Sequence, residues 1–231
     1  MKLVGIVGRA YWNLDKQEIF QVHEPTRRFL NSYEDVSYIT LLPFGDYNYI
    51  DYTEGGDEFK EEDKKKLDYI LDKCDGFIVP GGSRVFKFDE YIMKYAIEND
   101  KPLMCICAGF QALCSMYSKD RDKFDMSIEL ANKEIHHASK FEYVHYVNII
   151  KDTLLYDILK EDKIKVNSVH NNYINNELNE LIPCAYSDDN ILEGVYLPNK
   201  KFVMGLEWHP EGILDEYTMK ILDYFVSKLW R

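Results

Sequence analysis

No apolar run in this chain approaches the ~20 residues of a membrane span, so no membrane partner is expected. Residues 1–8 are too short and too strand-like for a secretory signal, which points to a cytoplasmic location. Cysteine is scarce and unpaired in pattern. Cys74, Cys105, Cys107, Cys114 and Cys184 are odd in number, sit in apolar contexts and form no C-x-x-C. That excludes a secreted disulfide framework, a zinc ribbon and a redox dithiol. Positive charge is short: 28 Lys and Arg stand against 40 Asp and Glu, a formal net charge of −12. Such a chain repels a phosphate backbone, so no nucleic-acid partner is expected. Nucleotide and flavin signatures are missing too, because Gly5-x-x-Gly8 is not a dinucleotide fingerprint. No cofactor is expected. Repeats, low-complexity tracts and linkers are absent, so residues 1–231 read as a single domain.

What is present is an alternation of strand and helix signals. Residues 2–7 are a short β-like run. Residues 15–31 read as a helix with an imperfect apolar face (Ile19, Phe20, Val22, Phe29, Leu30), and 36–42 as a strand closed by Pro43. Residues 46–57 carry Gly55-Gly56 and read as a long loop, placed to cover a pocket. Leu67, Ile70, Leu71 and Cys74 mark a helix over 61–74, and its charged start reads as a solvated first turn. A buried-type strand, 76–79, runs into Pro80-Gly81-Gly82-Ser83. Phe88, Tyr91, Ile92, Tyr95 and Ala96 form a helical stripe, 103–106 is the next strand, and 108–117 the next helix. This order implies right-handed βαβ units and a parallel sheet. Beyond about residue 120 the pattern changes to shorter strands at 143–150, 164–169, 182–187, 191–197 and 202–206, then a closing helix from Leu214.

Two segments carry chemistry. The first is Leu103-Met104-Cys105-Ile106-Cys107-Ala108-Gly109-Phe110-Gln111, which places Cys107 where a strand hands over to a helix. A thiol is mostly protonated at neutral pH and needs a base or a positive field to ionise. The helix start offers unpaired N–H groups and a partial positive charge, and the Ala108 N–H is positioned for a developing oxyanion. The Gly81-Gly82 turn follows the neighbouring strand and is a candidate second donor at the same sheet edge. The other four cysteines read as inert filling.

The second segment is Trp208-His209-Pro210-Glu211. Pro210 biases His209 toward an extended backbone, in which residues i and i+2 project to one side. Glu211 is then placed to hold one imidazole nitrogen and leave the other for the thiol. His136-His137 has no acidic or cysteine partner at local ligand spacing, so no metal site is expected. His170, set in Asn167-Ser168-Val169-His170-Asn171-Asn172, is a candidate site residue because the surrounding amides suit a polar substrate.

Taken in order, Pro-Gly-Gly, Cys-x-Gly-x-Gln and Trp-His-Pro-Glu resemble the class I glutamine amidotransferase-like superfamily. The Asn-Ser-x-His element narrows the likeness to its γ-glutamyl-γ-aminobutyrate hydrolase, peptidase C26-like branch. The resemblance implies a flavodoxin-like three-layer α/β/α sandwich, with a mostly parallel sheet and an added antiparallel portion. It implies a catalytic trio of Cys107, His209 and Glu211, and oxyanion or substrate contacts at Gly81, Gly82, Ala108, Gln111 and His170. The expected reaction is hydrolysis of the γ-glutamyl amide of a small compound through a thioester. The chain departs from the pattern in three places. Cys105 stands where glycine precedes the nucleophile, Ala108 where a larger residue follows it, and Glu207 where glutamine is common. Glu207 is expected to raise the pKa of His209. Two alternatives stay open: a glutaminase that delivers ammonia to a separate synthetase chain, and a catalytically silent protein that binds γ-glutamyl compounds. The leaving amine is not specified by the sequence, and a homodimer is compatible with it.

Overall fold

The computed structural model describes residues 1–12, 15, 18–43, 61–82, 87–120, 130 and 133–230. The chain opens with β1 (Lys2–Val7), followed by a small ribbon of β2 (Arg9–Trp12) and β3 (Glu18–Gln21). Helix α1 (Glu24–Asn31) and β4 (Val36–Leu41) come next. Then α2 (Glu61–Leu71), β5 (Gly76–Val79), α3 (Lys87–Glu98), β6 (Leu103–Ile106) and α4 (Ala108–Met116) complete the alternating half. The second half runs α5 (Lys133–His136), β7 (His137–Ser139), β8 (His145–Ile149), α6 (Leu154–Leu159), β9 (Lys163–Val166) and β10 (Ser168–Val169). It ends with β11 (Ile182–Ser187), β12 (Leu192–Tyr196), β13 (Val203–Leu206) and α7 (Glu216–Ser227).

Nine strands form one sheet in the order β4-β1-β5-β6-β13-β12-β11-β8-β9. The strands from β4 to β13 are mutually parallel, and β12, β11, β8 and β9 add an antiparallel portion. Side chains alternate across the strands because the strand period is two. Phe77, Val79, Leu103 and Cys105 therefore pack on one face with α2, α3 and α4. Ile78, Met104 and Ile106 pack on the other with α1, α6 and α7. Both faces are covered, which is why β5 and β6 read as continuous apolar runs. The result is an α/β three-layer sandwich of the flavodoxin-like kind, as the sequence implied.

The helix expected over 15–31 is corrected. Its first part is the β2–β3 ribbon, paired Arg9↔Gln21 through Trp12↔Glu18, and only α1 is helical. Pro25 sits in the first turn of α1, where a missing N–H costs nothing, so the helix starts there and cannot extend backwards through it. The 46–57 loop and Ser83 lie outside the described residues. Strand 164–169 is broken in two: β9 stays in the main sheet, and β10 leaves it to pair with β7.

Gly109 shows how tightly α4 lies on the sheet. A Cβ built there would meet the Val79 carbonyl oxygen at 2.2 Å, and backbone cannot give way cheaply. Gly109→Ala is expected to cost about 3 kcal/mol. For a chain of this size that is a fall in Tm of about 10 °C, readable by calorimetry.

Candidate active site

Strands β5, β6 and β13 are parallel neighbours, so their C-terminal ends open on one edge. Pro80 follows β5, Cys107 follows β6, and Glu207 to His209 follow β13. Pairing of Leu206 with Ile106 brings the last two segments level.

Cys107 is the turn residue between β6 and α4. Its backbone sits at φ 50°, ψ −110°, in the positive-φ region that residues with a Cβ rarely occupy. The geometry is held from both sides. The Cys107 N–H donates to the Leu206 carbonyl at 2.8 Å, and its own carbonyl accepts from the Gln111 N–H at 2.9 Å. Strain of order 1–3 kcal/mol persists only where the surroundings enforce it, and it concentrates at functional sites. The turn tolerates Cys105 because that side chain points the other way, into the α3 and α4 layer, with its sulfur 3.7 Å from Met93 Sδ.

Gly81 touches both halves of the site. A Cβ built on it would lie 2.7 Å from His209 Cε1 and 3.2 Å from Cys107 Cβ. The imidazole and the thiol stem thus flank one small space that only glycine leaves open. Gly82 is crowded by Arg9, whose Cδ would sit 2.9 Å from an added Cβ. Arg9 is almost fully buried. Its Nε donates to the Pro80 carbonyl at 3.0 Å, and its Nη1 pairs with Asp89 of α3 at 2.5 Å. This ion pair pins the Pro80–Gly82 turn. Nothing in the local sequence around Arg9 signals the role.

His209 Nδ1 lies 2.8 Å from Glu211 Oε1, and both side chains are about 2% exposed. The pairing arises differently from the extended pair expected. Pro210–Gly212 is a single 3₁₀ turn with proline at its start, and that turn folds Glu211 back onto the ring. Burial alone would raise Glu211, but the charge and hydrogen bond of His209 overturn it and hold the carboxyl below its usual range. With Nδ1 occupied, Nε2 is the nitrogen left for proton transfer. Asn167 clamps the same histidine through its backbone. Its Oδ1 accepts from the His209 N–H at 3.1 Å, and its Nδ2 donates to the His209 carbonyl at 2.6 Å. The Asn-Ser-x-His element pointed to this region, and its residue in contact with the His209 backbone is Asn167.

Glu207 turns away from His209. Gln111 Nε2 donates to Glu207 Oε1 at 2.6 Å, and His170 Nδ1 lies 3.3 Å from the same oxygen. The carboxyl of Glu207 is thus engaged by Gln111 and His170. Both of these are buried beneath the elbow, and each is tied to another protein group.

The surroundings of the Cys107 thiol favour its neutral form. Burial pushes Cys107 up first, then Glu207 and Glu211, while Lys140 and a hydrogen bond from the Ala108 N–H pull weakly the other way. Alkylation of the free protein at Cys107 by a small haloacetamide is expected to be slow at neutral pH. It should accelerate steadily through the alkaline range, and a rate already flat at pH 7 would contradict this electrostatic picture.

A strained cysteine turn beside a buried His–Glu pair at the carboxyl edge of a mixed α/β sheet is an arrangement suited to thiol-dependent hydrolysis. More narrowly, the chain belongs to the Peptidase C26 family, whose profile matches residues 87–211. Over 176 residues it is 25% identical to PB2B2.05 of Schizosaccharomyces pombe, named as a glutamine amidotransferase. That match covers 75% of this chain and 63% of the yeast protein, so the chain spans less than two thirds of that relative. The γ-glutamyl-γ-aminobutyrate hydrolase PuuD of Escherichia coli is 25% identical over 178 residues, 66% of this chain and 70% of PuuD. Among solved structures, a GMP synthase component from Thermoplasma acidophilum shares the fold. Its TM-score is 0.64 at 18% identity, over 99% of this chain and 94% of that one. Among the described residues no helix is long and apolar enough to cross a membrane.

Proposed function

We propose that this protein hydrolyses the γ-glutamyl amide bond of a small compound, using Cys107 as nucleophile, His209 as general base and acid, and Glu211 to orient the imidazole. The buried 2.8 Å His209–Glu211 pair set against the strained Cys107 turn is the observation that carries this reading. His209 takes the thiol proton as Cys107 Sγ attacks the γ-carbonyl carbon. The Ala108 and Gly82 N–H groups receive the oxyanion, each such donor being worth about 3 kcal/mol in this kind of chemistry. The C–N bond breaks as His209 returns the proton to the leaving amine. Water, deprotonated by His209, then attacks the thioester and releases glutamate and the free thiol. Gln111 and His170 act beneath the elbow as positioning residues. Similarity to PuuD favours a γ-glutamyl amide of an amine over free glutamine as the substrate.

A glutaminase that feeds a separate synthetase is the competing reading. Release of amine from a panel of γ-glutamyl amides, with glutamine alongside, separates the two. The proposal expects at least one amide to be turned over by the chain alone. Turnover of glutamine only, and only with a partner chain added, would overturn it.

A further inference from the structure

Beneath the elbow, four buried side chains converge from four separate elements. They are His136 at the end of α5, His145 at the start of β8, His170 just after β10, and Glu193 in β12. One ligand atom from each lies within 4.8 Å of all the others. Glu193 Oε1 is 3.3 Å from His136 Nδ1, 3.4 Å from His170 Nε2 and 3.6 Å from His145 Nε2, and the His136 and His170 nitrogens are 3.2 Å apart. A zinc ion bound tetrahedrally at 2.0–2.1 Å sets its ligand atoms about 3.3–3.4 Å apart.

The outer nitrogens fix which atoms face inward. His136 Nε2 lies 3.2 Å from the Asp189 carboxylate, His170 Nδ1 2.9 Å from the Asn172 carbonyl, and His145 Nδ1 3.3 Å from the Tyr146 carbonyl. In the neutral tautomer that these acceptors favour, each outer nitrogen carries the proton. Each inner nitrogen then presents a lone pair to Glu193 and to the others. This is the arrangement that outer carboxylates and carbonyls impose on metal-bound histidines. Three lone pairs and a carboxylate facing one point repel unless a cation lies between them. His145 Nε2 has no hydrogen-bond partner among the described residues, and Glu193 is approached only by the three histidine nitrogens, at 3.3–3.6 Å.

We propose that His136, His145, His170 and Glu193 bind a divalent first-row metal ion, zinc by the match of geometry and donor set, in a closed four-coordinate site. Imidazole and carboxylate donors suit such an ion. All four ligands come from the protein and all four are buried, so the ion is structural and has no open position for catalysis. Its charge also offsets neighbouring acids: the buried Glu193 and Glu207 and the partly shielded Asp189. The competing cation is a proton on His170. Glu193 lies 3.4 Å from His170 Nε2 and Glu207 3.3 Å from His170 Nδ1, so both carboxylates would favour that proton. One proton on His170 Nε2 still leaves His145 Nε2 facing Glu193 without a donor, whereas a metal serves all four groups.

The ion would also steady the catalytic segment. His136 and His145 bracket a strap whose Lys140 carbonyl accepts a 2.5 Å hydrogen bond from Asn167 Nδ2, and Asn167 clamps His209. The metal assignment does not depend on the substrate, so it stands or falls separately from the γ-glutamyl reading.

The test uses tag-free Cys107→Ser protein, which removes the active-site thiol as a competing ligand. The protein is stripped with a chelator, reloaded with zinc sulfate or cobalt(II) chloride, and passed through gel filtration. Elemental mass spectrometry should find one zinc per chain. Cobalt should give the intense visible bands of a tetrahedral site without sulfur charge transfer. His145→Ala and Glu193→Gln should weaken retention by at least about 100-fold, and Asp189→Asn by about 10–100-fold. Failure of the folded protein to retain either metal would overturn the assignment. So would equal retention by His145→Ala, or an octahedral or sulfur-ligated cobalt spectrum, and the spectrum decides even where a ligand variant does not fold.

Discussion

Cys107→Ala is expected to lower kcat/KM for γ-glutamyl amides by about 10,000-fold or more, while leaving the fold in place. That loss is about 5.5 kcal/mol of transition-state stabilisation. The argument for such a large effect is that the nucleophile cannot be replaced from nearby. Cys105 faces the α3 and α4 layer, and Cys114 and Cys184 are fully buried elsewhere in the core. The argument for a small structural effect is equally specific. Alanine keeps the Cβ that packs 3.2 Å from the position of a Gly81 Cβ, and it keeps the φ of 50° with the Leu206 and Gln111 backbone bonds that enforce it. Stability should change by about 1 kcal/mol or less. Steady-state kinetics with calorimetry on the same preparation checks both halves. A variant that keeps more than a hundredth of the activity would remove Cys107 from the mechanism.

The second large effect belongs to Glu211→Gln, expected to lower kcat by about 1,000–10,000-fold with little change in KM or stability. The amide keeps the size of the carboxylate. It can, however, present an N–H to His209 Nδ1 and so force the proton onto Nε2, where the ring no longer accepts from the thiol. It also withdraws the negative charge that stabilises the imidazolium. Because Glu211 is held below its usual pKa, the wild-type carboxylate stays ionised across the neutral range, and its contribution to activity is lost only as pH falls into the acid range. In the variant, residual activity should instead climb with pH, as hydroxide forms the thiolate that His209 no longer does. Rates at pH 7 and pH 9 compared between the two proteins give the answer. A variant with a wild-type pH profile would show that Glu211 is only a packing residue.

The sequence carried the parallel half of the fold through period alone. Apolar runs at 76–79 and 103–106, and the stripe from Phe88 to Ala96, appear as β5, β6 and α3 with both faces of the sheet covered. That Cys107 and the His209–Glu211 segment share one sheet edge was legible because Cys107 directly follows one parallel strand and the segment follows the next, whereas the 3₁₀ turn that folds Glu211 onto His209 was not. Misreading of 15–31 came from treating Ile19, Phe20 and Val22 as a helical face. Ile19 and Phe20 instead belong to a hairpin strand, and Pro25 marks where the helix begins. Arg9 went unread, and Asn167 was seen only as part of a motif without its clamp on His209, because a side chain that holds a distant backbone leaves no local pattern. The His136, His145, His170 and Glu193 cluster was invisible for the same reason. Its members lie on four elements, and only the packing of α5 and β10 beside β8 and β12 makes them neighbours. Glu207 was noticed beside His209, but sequence proximity gave no hint that Gln111 and His170 hold its carboxyl.

Cys107 is expected to become a reactive nucleophile once a γ-glutamyl group is bound. Intact-mass analysis of the protein after incubation with a γ-glutamyl-directed electrophile, a diazo-oxo-norleucine analogue, tests it directly. One adduct per chain is expected on the wild type and none on Cys107→Ala. An unmodified, folded wild-type protein, or an adduct that persists in the variant, would contradict it.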